Sequence, residues 1–162
     1  MAKMTNNYII RRTKHIFSLN NPKMIEIFNS VGFDVTKEQI AGWIKRDDDP
    51  EVVLMADTVL AAFLNGFIIE KRGKKEGPLP VPEQELNNNI VLRKFRIALD
   101  MKDTDMLDIF KLSHTQISKH ELSSFFRKKD HRNFAYCKDQ FLRNFFHGMQ
   151  AKYKDGVSYD ED

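Results

Sequence analysis

Shifting the chain against itself by 82 residues aligns 7–66 with 89–148 without a gap. "NYIIRRTKHIFSLNNPKMIEIF" falls on "NIVLRKFRIALDMKDTDMLDIF", and "VTKEQIAGWIKRDDDPEVVLMADTVLAAFLNG" falls on "ISKHELSSFFRKKDHRNFAYCKDQFLRNFFHG". Asn7/Asn89, Arg11/Arg93, Met24/Met106, Ile27/Ile109, Phe28/Phe110, Lys37/Lys119, Asp57/Asp139, Leu60/Leu142, Phe63/Phe145 and Gly66/Gly148 are identical pairs. Trp43/Phe125, Thr36/Ser118 and Ile40/Leu122 match in chemistry. A repeat of this density is the signature of a duplicated structural unit. A unit of about sixty residues buries too little surface to be robust alone, so two copies are expected to pack together.

Within each copy the apolar residues keep helical phase, and four helices follow. The first runs from Asn7 to Leu19, with Asn as its N-cap and Ile9, Ile10, Thr13, Ile16 and Phe17 inward. The second opens at "NNPKM", where Asn21 caps and Pro22 takes the first helical position, which needs no N–H. Its partner copy opens at Asp103. The third begins with a capping box in both copies, "TKEQ" and "SKHE", in which the hydroxyl and the Glu or Gln each satisfy an orphan backbone N–H. The fourth is expected to begin at "DPE", with Asp49 as N-cap, and to run through "VVLMADTVLAAFLNGFIIEKR". Its apolar surface is broader than one stripe, so it is read as central, with the two copies meeting through their fourth helices in pseudo-twofold symmetry. Gly66/Gly148 implies a close helix approach or a bend.

These motifs resemble those of the YehS-like bacterial proteins, a family of unknown function built from two copies of one short domain. The resemblance runs from Asn7 to about Met149 and rests on "LNNPKMIEIF", "VTKEQIAGWIKRDDDPE" and "LAAFLNGFI" with their second copies. It implies a bacterial, cytoplasmic, duplicated helical protein and carries no catalytic residues. The fold expected is all-α, tandem four-helix repeats with a helix-turn-helix-like outline. The domains are 1–72 and 88–154, joined by a Pro/Gly-rich linker over 73–87, "GKKEGPLPVPEQELN", and followed by an acidic tail over 155–162.

The outline "MIEIFNSVGFDVTKEQIAGWIKR" raises the question of a recognition helix. The spacing from Gly32 to Ile40 is long for the tight turn of that motif, and Phe28 stands where a small residue usually lets the helices approach. His114 replaces Gly32 in the second copy, so glycine does not hold that turn there. Ile40, Trp43 and Ile44 are read as core, and Phe28, Trp43, Phe63, Phe110, Phe125 and Phe145 are the expected core aromatics. The matched polar pairs Arg11/Arg93 and Asp57/Asp139 are expected to form one ion pair per repeat, since a carboxylate facing a core must be paired.

Charge separates the copies. Residues 7–66 carry seven Lys/Arg and eight Asp/Glu; residues 89–148 carry twelve and seven. The difference concentrates where "KRDDDPE" becomes "RKKDHRN". A polyanion would be sought at Arg127, Lys128, Lys129 and Arg132, with Phe126 and Phe134 nearby for stacking. The other reading is a solvated basic helix end. The acidic run Asp47–Asp49 in the equivalent place also permits self-association or a charged protein partner.

Catalysis and cofactors are not expected. The five histidines lack metal-ligand spacing, and neither a phosphate-binding glycine loop nor a nucleophile elbow is present. Cys137, the single cysteine, excludes an internal disulfide, fits a reducing cytoplasm and reads as a packed thiol. No apolar run reaches membrane-spanning length. The function expected is therefore a small non-catalytic cytoplasmic binding or adaptor protein with an unidentified partner, or else a DNA- or RNA-binding regulatory protein using the basic face of the second repeat.

Overall fold

The computed structural model describes residues 4–157. Among them the chain is all helical: α1 (Asn6–Ile16), α2 (Asn21–Asn29), α3 (Lys37–Trp43) and α4 (Asp57–Arg72), then α5 (Asn88–Ala98), α6 (Asp103–Leu112), α7 (Lys119–Ser124) and α8 (Asp139–Met149). A π-helical turn, Gln150–Lys154, continues α8. Each helix of the second set starts 82 residues after its counterpart, so the duplication in sequence is a duplication of structure. Two compact units divide between Leu86 and Asn87. The segment 73–87 carries no helix and is tied to the first unit, where Leu86 N donates to Asp57 Oδ2 at 2.8 Å. The acidic tail lies outside the described residues from position 158 onward.

Local chemistry sets most helix ends. Thr36 with Gln39, and Ser118 with Glu121, form the two capping boxes. Elsewhere the caps differ from expectation by a residue or two. Thr5 caps α1 by accepting from Tyr8 N, and Asn20 rather than Asn21 caps α2. Asp103 is the first residue inside α6; there Asp105 reaches back to accept from Lys102 N at 2.8 Å.

Helices α1, α2, α5 and α6 end alike. At each end, one N–H bonds five residues back and the preceding N–H bonds three residues back, the pattern of a Schellman motif. The left-handed residue it requires is Ser18, Gly32, Asp100 or His114, with φ of 52°, 75°, 52° and 58°. His114 thus takes the conformation of Gly32 although it is not glycine. The paired bonds outweigh a penalty of about 1–2 kcal/mol for a non-glycine residue there.

The fourth helix corrects the sequence reading most. It begins at Asp57, not at "DPE", and Asp49 instead accepts from Glu51 N at 2.8 Å in a local turn. Val52 through Ala56 form a non-helical run leading into α4, as residues 134–138 lead into α8.

The core of the first unit gathers Ile10, Ile16, Met24, Ile27, Ile40 and Leu60 around Phe28, which lies 5.3 Å from Phe63 and 5.7 Å from Trp43 between ring centroids. In the second, Phe110 lies 5.5 Å from Phe145, and Phe125 lies 5.6 Å from Phe141. All six expected core aromatics are buried. Eight consecutive residues of α4, Leu60 to Phe67, are buried, which fits a helix apolar on nearly every side. Helix α4 crosses α2 at Gly66, where a Cβ would fall on Ile27 O and 2.9 Å from Ile27 Cγ2. Helix α8 crosses α6 at Gly148 in the same way, against Ile109. These glycines permit close approach rather than a bend.

A smaller fit has been solved twice with different residues. Gly42 accepts from Val53 N, and a Cβ on Gly42 would meet Val53 Cγ2 at 2.8 Å. The second unit places Ser124 against Ala135 in the same hydrogen bond. Side-chain bulk has moved from one partner to the other. Gly42→Ala should therefore change sign with its background. Beside Val53 the overlap cancels or exceeds the helix-propensity gain of about 1 kcal/mol, whereas in Val53→Ala the gain survives. Urea unfolding of the four variants of this cycle measures the coupling, and strict additivity would contradict it.

Candidate functional site

One buried side chain in each unit positions the surface that distinguishes the copies. Asn89, on the first turn of α5, is 4% exposed. Its Nδ2 donates to Phe125 O at 3.1 Å and to Ala135 O at 2.9 Å, while its Oδ1 accepts from Cys137 N at 2.9 Å. Asn88 beside it donates to Cys137 O at 2.9 Å and to Asp139 Oδ1 at 2.7 Å. Two adjacent amides thus fasten both ends of the loop 126–138. Asn7 and Asn6 do the same in the first unit for Trp43 O, Val53 O, Met55 N, Met55 O and Asp57 Oδ1. An amide is the side chain for this task, because it donates twice and accepts at once. Asn7 is therefore a loop clamp rather than the helix cap expected from sequence.

The clamp also corrects the expected ion pairs. Asp57 is occupied by Asn6 Nδ2 and Leu86 N, and Asp139 accepts from Asn88. Arg11 instead donates to Lys45 O at 3.0 Å and stands 3.8 Å from Asp47. Arg93 faces solvent. The two carboxylates sit at the first position of α4 and α8, where the helix dipole favours negative charge, so they need no arginine.

Within the second loop, Arg127, Lys128, Lys129 and Arg132 are all exposed, as is Lys138. The only carboxylate between positions 127 and 138 is Asp130. Phe126 is not available for stacking, because the Arg96 guanidinium lies 4.6 Å from its ring centroid and is held by Asp103 at 2.7 Å. Phe134 is half-buried and meets Tyr136 edge-on at 5.0 Å. Tyr136 is 54% exposed, and Lys129 Nζ lies 5.7 Å from its ring centroid. Sequence reasoning passed over Tyr136. Its exposure follows from the clamp, which no local pattern reports: Cys137 N and Met55 N are bonded to the asparagines, and the preceding side chain in each copy is turned outward.

The equivalent loop of the first unit carries the opposite charge and is partly engaged. Asp47 accepts from Thr5 Oγ1 at 2.9 Å, Asp48 lies 3.9 Å from Arg46, and Asp49 makes its local turn. Val53 and Leu54 are 53% and 75% exposed where Ala135 and Tyr136 stand in the second copy.

Cys137 is buried, and burial, helped by the nearby Asp139 charge, pushes its thiol up to about 12. It is an unreactive packed thiol at neutral pH. An open groove of about 660 Å³ beside α6 and α7 has Lys111 and Glu121 as its charged lining, so it offers an anion no net field. Among the described residues, no group of three or more His, Cys, Asp or Glu could hold a metal ion. Nor is any helix among them long and apolar enough to cross a membrane.

Comparison with known proteins agrees with the internal repeat. A family model described as "Protein of unknown function (DUF1456)" matches twice, over residues 6–73 and 88–155. The uncharacterized protein YehS of Escherichia coli (strain K12) is 41% identical over 150 residues, covering 92% of this chain and 96% of that protein. No solved structure matches.

Proposed function

The chain belongs to the DUF1456 family, carrying its domain twice, and from that premise we propose that it is a non-catalytic cytoplasmic binding protein whose working surfaces are the two amide-clamped loops. The observation that supports this is the clamp itself. Five hydrogen bonds per repeat hold a loop rigid while its side chains diverge in charge and shape between copies. A scaffold kept constant beneath a varied, exposed surface is suited to recognition, because the loop is ordered before a partner arrives.

A second reading is favoured by the loop 126–138. Five exposed cations face a single carboxylate there, beside an exposed aromatic ring, so that nucleic acid is the partner class it suits. Anisotropy of labelled nucleic acid at about 50 and about 200 mM salt tests this directly. Binding is expected to weaken steeply with salt. The fourfold variant Arg127→Ser, Lys128→Ser, Lys129→Ser, Arg132→Ser should lose at least about tenfold in affinity and flatten the salt dependence by about 3 log units per log unit. Its urea midpoint should stay near that of the parent, since all four side chains are exposed. Equal binding by parent and variant would remove the nucleic-acid reading and leave a protein partner.

A further inference from the structure

We propose that the loop 126–138 is a single-strand site in which Tyr136 is the platform for a base and the surrounding cations hold the phosphates. This deepens the nucleic-acid reading and rests on it.

Three observations lead here. The first is the presentation of Tyr136. Its neighbour Cys137 is 3% exposed and anchored through both its N–H and its carbonyl, which turns Tyr136 outward, and Phe134 buttresses it edge-on at 5.0 Å. Burial of a ring is the usual outcome when a fold can achieve it; here the backbone is fixed so that it cannot. An exposed, immobilised aromatic can be covered by a base, because every base has a π-face. Only an unstacked base can do this, since a duplex displays base edges in its grooves and keeps the faces inside.

The second is where the positive charge lies. A helix docked in a major groove reads bases from its N-terminal residues. Helix α7 has six residues, and the basic cluster follows its C-terminal end, beyond Phe125. Placing the start of α7 in a groove would leave Arg127 to Arg132 at the far end of the contact. Lys129 of that cluster instead lies against Tyr136, its Nζ 5.7 Å from the ring centroid and within reach of a phosphate flanking a stacked base.

The third is the internal control. The first repeat holds the same loop with the same amides, yet has Leu54 at the equivalent position of a loop that carries Asp47, Asp48 and Asp49. Neither stacking nor phosphate attraction is available there, so the site belongs to one repeat.

The test uses the whole protein and four labelled probes of about a dozen residues: oligo(dT), oligo(U), and blunt DNA and RNA duplexes, read by anisotropy at low salt. Both single strands should bind tighter than either duplex. Tyr136→Ala should weaken single-strand binding about tenfold or more. Tyr136→Phe should retain it, because stacking needs the ring and not the hydroxyl. Leu54→Ala should leave binding unchanged. If the fourfold serine variant loses binding but Tyr136→Ala matches the parent, the polyanion reading stands and the stacking site is overturned. Tighter binding to a duplex would overturn it as well. Absence of binding to all four probes would remove the nucleic-acid reading and this site together. Circular dichroism melting of Tyr136→Ala separates a lost platform from a lost fold, and Tyr136→Phe supplies the comparison if alanine disturbs the loop.

Discussion

Gly148→Ala is expected to destabilise the protein by at least about 3 kcal/mol, although alanine is normally the better helix former by about 1 kcal/mol. The reason is the identity of the atom in the way. A Cβ on Gly148 would overlap Ile109 O, which belongs to the backbone of α6, and would lie 2.8 Å from Ile109 Cγ2. A flexible side chain could turn aside, but a helix carbonyl can retreat only if α6 and α8 separate. Separation would open the packing around Phe110 and Phe145, whose ring centroids lie 5.5 Å apart. Close-packed interiors do not absorb such a shift without loss. Gly66→Ala should behave alike against Ile27. Urea denaturation gives the measurement, and a midpoint within error of the parent for either variant would mean that the helices cross more loosely than described.

Asn89→Ala should cost a similar amount, about 3–5 kcal/mol, by a different route. The substitution removes little volume but strands Phe125 O, Ala135 O and Cys137 N, each in a buried or half-buried place. Each orphaned group carries a penalty of about 1–3 kcal/mol, reduced where water can reach it. Asn89→Asp is the more incisive variant. It keeps the shape and the acceptor for Cys137 N, yet a carboxylate cannot donate, so two carbonyls would face its negative oxygen. Packing alone would predict that aspartate is tolerated, whereas the clamp predicts that it fails nearly as badly as alanine. Hydrogen exchange should localise the damage, with the Cys137 amide losing protection before those within α6 and α8. Asn7→Asp should show the same pattern at the Met55 amide.

These two predictions also mark what the sequence could and could not disclose. The 82-residue register placed every helix in both copies, and the capping boxes at Thr36 and Ser118 fixed the start of α3 and α7, because those signals are local. The matched glycines could be noticed but not interpreted, since a bend and a close approach leave the same mark in a sequence. Asn7 was misread as a cap, and the role of Asn89 missed, for a related reason. Their partners lie 36 to 48 residues away, and no short-range pattern reports a bond of that span. The late start of α4 follows from the same cause. "DPE" is as good a turn as a helix start, and the clamp at Val53 and Met55 decides between them. The Arg11–Asp57 pairing failed because the asparagine next in line had already taken the carboxylate. For the candidate site, the cations were legible as composition. Tyr136 was not, because its exposure depends on where Cys137 is held.

The four Schellman turns carry a consequence of another kind. Three of them use Ser18, Asp100 and His114 in a backbone region where glycine would be at ease, and only Gly32 is relaxed. The protein therefore holds an unspent reserve of thermal resistance at exposed positions outside both loops. Ser18→Gly, Asp100→Gly and His114→Gly offer increments to anyone who needs a hardier version of the molecule for crystals or for prolonged titrations, with both clamped loops left as they are.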